Sequence, residues 1–245
     1  MRIIKYGEVY FLKSWSIMVN ENISDVFFDL DHTLWDFDRN SALAFERVFK
    51  KHNIAMELSE FIREYEPINL NFWRQFREEK ITKEELRRGR LIETFQLFKM
   101  EFPLPSIDFM ANSYIEELPI DNYLFSGTFE ILDYLFPKYK LHIITNGFEE
   151  VQHLKLENSG IAKYFDTITT SEEAGAKKPH HSIFKLAMAK ASVLPHKSIM
   201  VGDSLEADIF GARAVGMNTL FFNYKDEKMG SESFIKNLLE IKQHL

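Results

Sequence analysis

Cysteine is absent from all 245 residues. Disulfides, thiolate nucleophiles and zinc fingers are thereby excluded, and oxygen ligands become the natural way to hold a metal. No uninterrupted apolar run approaches the ~20 residues needed to cross a bilayer. Nor is there an excess of positive charge. The net charge of -7 argues against binding a nucleic-acid polymer, although an acidic chain still handles phosphate where a metal ion or local cations neutralise it. Residues 1–19 carry Lys5, Glu8 and Lys13 among their apolar positions, with no small-residue cleavage site after them. A secretory signal is therefore not expected, and the chain reads as cytoplasmic.

Hydrophobic residues make up 45% of the chain, enough for the core of one large domain or two modest ones. The stretch around which the chain is organised is Val26-Phe27-Phe28-Asp29-Leu30-Asp31-His32-Thr33. In a strand, Asp29 and Asp31 point to one face, and paired carboxylates need a shared proton or a cation. Taken alone, the stretch is equally a strand running into a polar turn.

A buried strand is expected over residues 24–30. The segment that follows is charged, helical in period and holds a single glycine, Gly89. Asn40 or Ser41 is expected to cap its first helix, Ser59 to open a second that Pro67 breaks or kinks, and Thr82 with Glu85 to form a capping box. Ser106 is expected to begin a fourth helix, ending before Pro119. From Ser126 onward, short apolar strands alternate with helices, and a final amphipathic helix is expected from 231 to the end. Alternation of this kind implies a parallel sheet with helices on both faces. Ligands then bind at the carboxyl ends of the strands.

The expected strand ends carry one chemical set: Asp29, Asp31 and Thr33, then Thr145-Asn146-Gly147, then Lys177-Lys178-Pro179, then Gly202-Asp203-Ser204 with Asp208 beyond. Nucleophile, hydroxyl, ammonium and a second acidic pair are what phosphoryl transfer through a metal requires.

In these motifs and their order, over roughly residues 23–225, the chain resembles the magnesium-dependent phosphatases of the haloacid dehalogenase superfamily. The resemblance implies an α/β fold: a Rossmann-like parallel sheet core at 23–35 and 119–245, with a helical cap of the C1 type inserted at 36–118. Residues 1–22 stand outside the pattern as an N-terminal extension, and Met18 is the expected natural start. The implied roles are Asp29 as nucleophile, Asp31 as general acid and base, Thr145 as a phosphoryl ligand, and Lys178 as the neutralising cation. Asp29, Asp203 and the carbonyl of Asp31 are implied to hold Mg2+. Lys178, directly before the proline, is favoured over Lys177. Asp208 is either an orienting residue behind the metal or a helix-end carboxylate. Ser204 either meets a metal-bound water or caps a helix.

The superfamily's dehalogenases lack an acid at the second motif position, so Asp31 favours phosphate-ester hydrolysis. A narrower resemblance, to bacterial pyrimidine 5′-nucleotidases, rests on Phe28 to Phe37 and on Thr145-Asn-Gly-Phe-Glu-Glu-Val-Gln152 with Lys155. It implies a small phosphorylated substrate, a nucleoside monophosphate foremost. Asn146, Gly147, His32, Trp35, Phe148 and Gln152 become candidates for substrate contact or cap contact, with ordinary packing as the alternative. Trp73 is expected in the cap core, and Arg87, Arg88 and Arg90 on a solvated helix face. A sugar-phosphate phosphatase shares all four motifs. A non-catalytic binding module is the less favoured alternative.

Overall fold

In the computed structural model, which describes residues 23–226 and 233–245, the apolar run after Ser24 forms the inner strand of a parallel sheet. The extension at 1–22, with the start expected at Met18, lies outside the described residues.

Strand β1 (Asp25–Phe28) leads into helices α1 (Phe37–His52), α2 (Leu58–Arg77), α3 (Lys83–Leu97) and α4 (Leu104–Glu117). The chain returns through α5 (Thr128–Leu135), β2 (Lys140–Thr145), α6 (Glu149–Asn158), β3 (Phe165–Thr170), α7 (Ser171–Ala174) and α8 (His181–Ala191). It continues through β4 (Ser198–Gly202), a π-helical turn at Leu205–Phe210, α9 (Gly211–Ala214), β5 (Asn218–Phe222) and β6 (Phe234–Ile235). Strand order is β3-β2-β1-β4-β5-β6, and every pairing is parallel.

Two-residue periodicity gives the sheet two apolar faces. Val26, Phe28, Ile143 and Val201 join one core, whereas Phe27, Ile144 and Met200 join another with Ile183 and Phe184 of α8. Phe28 sits level with Ile143 of β2 and Val201 of β4. The ends of these three strands therefore meet at one edge.

Helix α2 packs on α3 and α1 on α4. Their shared centre is aromatic: Phe45 stacks on Tyr114 at 4.3 Å and meets Phe61 edge-on at 4.9 Å. A Cβ on Gly89 would lie 2.2 Å from the Phe72 ring, so the glycine is what lets α3 approach α2 so closely. The capping box at Thr82 and Glu85 is formed.

Several elements depart from expectation, each for a physical reason. Helix α1 starts at Phe37, capped by Asp36, because Asn40 is used elsewhere. The Asn40 amide donates to the carbonyls of Asp36 and Tyr123 and accepts from the Tyr123 N–H, tying α1 to the returning chain. Helix α2 runs unbroken through Pro67. The ring removes one backbone donor, and burial of Phe61, Tyr65 and Ile68 on the same helix outweighs it. Helix α4 opens two residues before Ser106, at Leu104 behind Pro103.

The helical segment after β4 opens as a π turn. Asp208 there reaches back to the Ser204 N–H, and Gly211 packs against Phe184 and Pro179. At the carboxyl end, residues 231 and 232 lie outside the described residues. The rest is not one helix: β6 supplies a carbonyl from Ile235 to the Asn223 N–H, and a 3-10 turn (Leu238–Gln243) follows. Among the described residues no helix is long and apolar enough to cross a membrane.

Candidate active site

Asp29 follows β1, and its N–H donates to the Val201 carbonyl at 2.9 Å, which fixes it between the ends of β1 and β4. Lys178, 2% exposed, places Nζ 2.5 Å from Asp29 Oδ1, 2.7 Å from the Ile144 carbonyl and 2.7 Å from Asp208 Oδ1. One ammonium thus serves two carboxylates. Asp203, at the end of β4, is the third acid, and Thr33 donates to its Oδ1 at 3.4 Å. One oxygen from each of Asp29, Asp203 and Asp208 lies within 4.8 Å of the others.

The electrostatics follow from burial and crowding. Burial, with help from Asp208 and against Lys178, pushes the Asp29 carboxyl up to about 7. Burial and the neighbouring Asp29 and Asp208 push Asp203 well above the ordinary carboxylate value. Burial opposes the charge of Lys178, but Asp208 and Asp29 outweigh it and hold the amine above its usual range. Two buried acids, Asp29 and Asp208, and the half-buried Asp203 against one lysine make an unbalanced negative site, and a hard divalent cation with oxygen ligands fits it.

Asp208 has both oxygens engaged, by Lys178 and by the Ser204 N–H at 3.0 Å. That leaves Asp29 and Asp203 as the acids that could ligate a metal, with Asp208 held by its protein partners. A Cβ on Gly202 would fall 2.3 Å from Asp208 Oδ2, so only glycine admits this approach. Ser204 accepts from the Ala207 N–H, the cap role of its two expected alternatives.

Asp31 belongs to a different set of contacts. Lys155 of α6 places Nζ 2.5 Å from its Oδ1, and Gln152 Nε2 donates to its Oδ2 at 3.0 Å. Gln152 also donates to Thr145 Oγ1 at 2.6 Å, and that oxygen accepts the Gly147 N–H at 3.1 Å. Burial pushes the Lys155 amine down and Asp31 resists the shift. Its Nζ lies 4.0 Å from the centre of the Trp35 ring. Asn146 braces the lysine loop instead of standing free: its amide donates to the Lys178 carbonyl and accepts the Lys178 N–H at 2.7 Å.

Above this floor is a cavity of about 360 Å³. Asp29, Asp31, Thr145, Lys178 and Asp203 line its base. Asn69, Trp73 and Arg77 of α2 line the cavity too, as do His32, Phe37, Tyr224 and Lys225.

Residues 26–222 match the family described as haloacid dehalogenase-like hydrolase. The chain belongs to the haloacid dehalogenase-like hydrolases. It is 33% identical over 198 residues to the pyrimidine 5′-nucleotidase PynA of Streptococcus pneumoniae, covering 80% of this chain and 82% of that one. To the pyrimidine 5′-nucleotidase YjjG of Escherichia coli it is 32% identical, covering 81% and 85%. A crystal structure of the HAD-hydrolase YfnB from Bacillus subtilis, bound to magnesium, superposes with a TM-score of 0.83 at 28% identity, covering 91% of this chain and 98% of that one.

Within this hydrolase fold the aromatic candidates divide. Trp35 is fully buried, donates from Nε1 to Asn122 and does not line the cavity. Phe148 is 5% exposed and wedged between α6 and the inserted helices. Trp73 and Phe76 pack on it at 5.4 and 6.2 Å, and Lys83 and Arg87 lie over its ring. Of the expected alternatives, Trp35 takes ordinary packing and Phe148 takes the contact with the inserted helices. His32 does line the cavity, with φ +63° and its Nδ1 2.9 Å from the Tyr224 hydroxyl. Burial keeps its imidazole below the ordinary value.

The three arginines of α3 are not a solvated face. Arg87 pairs with Glu150, Arg88 with Asp108 and Glu84, and Arg90 is 2% exposed. Trp73, expected in the cap core, also lines the cavity, while Asn69, Arg77, Tyr224 and Lys225 had no motif to announce them.

Proposed function

We propose that this hydrolase is a magnesium-dependent phosphomonoesterase acting on nucleoside 5′-monophosphates, pyrimidine ones foremost, through a phosphorylated Asp29. The observation that carries the reading is the pair Asp29 and Asp31 opening onto one cavity, each beside its own buried lysine.

The chemistry divides between the two carboxylates. A carboxylate oxygen of Asp29 attacks phosphorus while Lys178 offsets the gathering negative charge. The bond to the ester oxygen breaks, and protonated Asp31 gives its proton to that oxygen. In the second half, Asp31 takes a proton from water, the water oxygen attacks phosphorus, and the Asp29–phosphoryl bond breaks to release inorganic phosphate. The Thr145 hydroxyl and the backbone N–H groups after β2 orient the phosphoryl oxygens. Asp29, Asp203 and the Asp31 carbonyl would hold magnesium, which supplies charge neutralisation between phosphate and nucleophile.

The nucleotide part of the reading is supported by the names of two relatives and by the flat apolar walls that Phe37 and Trp73 give the cavity. A sugar-phosphate phosphatase is the second reading, because the same floor serves any phosphate monoester.

A panel of UMP, dUMP, CMP, dTMP and sugar phosphates, with magnesium and with chelator, tests the proposal. Metal-dependent release of phosphate with preference for the pyrimidine nucleotides is expected. Strong preference for a sugar phosphate defeats the nucleotide reading. No hydrolysis of any ester defeats the enzymatic one.

A further inference from the structure

Asn69 lies on α2, only 6% exposed, and lines the same cavity as Asp29. Its Oδ1 accepts from Arg90 Nη1 at 2.9 Å and from the Tyr65 hydroxyl at 3.4 Å. Arginine only donates, so the amide atom facing Arg90 has to be the oxygen. Arg90 is itself 2% exposed and held over the rings of Tyr65 and Tyr114 at 5.9 and 5.1 Å, which makes a rigid mount. The amide nitrogen is thereby turned away from its mount. Among the described residues no acceptor meets it, and it is not one of the sealed polar atoms of the protein. The fold holds this donor in a fixed direction on a mostly buried residue, accessible and without a partner among the described residues.

Resting on the nucleotide reading above, we infer that Asn69 Nδ2 donates a hydrogen bond to a carbonyl oxygen of the substrate's base, so that Asn69 is a specificity-determining residue. Phe37 and Trp73, in the same cavity, give the flat ring its apolar contact. A site that fixes a donor discriminates strongly against a ligand lacking the acceptor, because the donor is then left buried and unpaired.

Asn69→Asp tests this directly. It keeps an oxygen for Arg90 and replaces the donor with an acceptor. Its melting temperature reports whether the fold survives. The readout is the ratio of kcat/KM for UMP to that for ribose 5-phosphate, and this ratio is expected to fall by about tenfold or more in the variant. A parallel measurement needs no variant: the wild-type enzyme should prefer UMP by about tenfold over the analogue in which a phenyl ring replaces uracil.

A variant that loses activity on both substrates alike, or keeps the wild-type ratio, overturns the role of Asn69 alone. Equal turnover of UMP and the phenyl analogue does the same. A wild-type enzyme that prefers ribose 5-phosphate to UMP overturns the nucleotide reading, and this inference with it.

Discussion

The Nζ of Lys155 lies 2.5 Å from Asp31 Oδ1, and Gln152 holds the other oxygen at 3.0 Å. A carboxylate gripped at both oxygens cannot rotate away from the cavity. Gln152 reaches it because a Cβ on Gly147 would lie 2.4 Å from the glutamine side chain, so the glycine leaves that space open. If Asp31 moves the proton, its grip matters most where the leaving oxygen needs one. Lys155→Met should lower kcat on UMP by about a hundredfold, the lower end of what acid–base catalysis contributes. On p-nitrophenyl phosphate, whose leaving group departs without a proton, the loss should be much smaller. Comparing the two substrates by steady-state kinetics decides it; equal losses mean that Lys155 supports the fold and not the proton transfer.

Asp208 stands behind the proposed metal ligands, joined to Lys178 and the Ser204 N–H. Asp208→Asn keeps the shape and removes the charge. Residues in this position typically change metal affinity by about 10–100-fold, so the variant should need that much more magnesium for half-maximal activity. Titration of activity against magnesium, with calorimetry of magnesium binding, measures the shift. An unchanged magnesium requirement contradicts the placement.

His142 offers a test of stability away from the cavity. It is 1% exposed, stacks on Phe27 at 4.6 Å, and places Nε2 3.0 Å from Asp25 Oδ1. Burial holds its imidazole below 6.5, with Asp25 opposing. The unfolded chain takes up that proton near pH 6.5, earlier than the folded one. The contribution to stability is therefore complete above pH 6.5 and is lost as pH falls through the lowered folded value. Urea unfolding below pH 6.5 should show a slope that His142→Gln flattens. Parallel slopes for both proteins would show that His142 does not titrate as described.

The strands were legible because their cores are short apolar runs. The acids and the lysine at the strand ends stood at motif spacing, which is why Asp29, Lys178 and Asp203 could be expected together. Contacts made between distant segments were not legible. Nothing in the spacing of Asn69 or Arg77 says that α2 hangs over the end of β1. Aromatic residues were ambiguous for the same reason: Trp35 and Phe148 read equally well as packing, as cap contacts or as platforms for a base, and only their burial and neighbours separate these. Pro67 and the carboxyl-terminal segment show tertiary packing and sheet pairing overriding local preference.

The central claim is that Asp29 carries the phosphoryl group. The direct measurement is acid quench during turnover of UMP, followed by borohydride reduction and peptide mass spectrometry. An acyl phosphate at Asp29 is reduced to homoserine at that position. The account predicts homoserine at residue 29 in the wild-type protein, and neither homoserine nor turnover in a folded Asp29→Asn variant. Undiminished turnover by Asp29→Asn, or homoserine at any other aspartate, would contradict it.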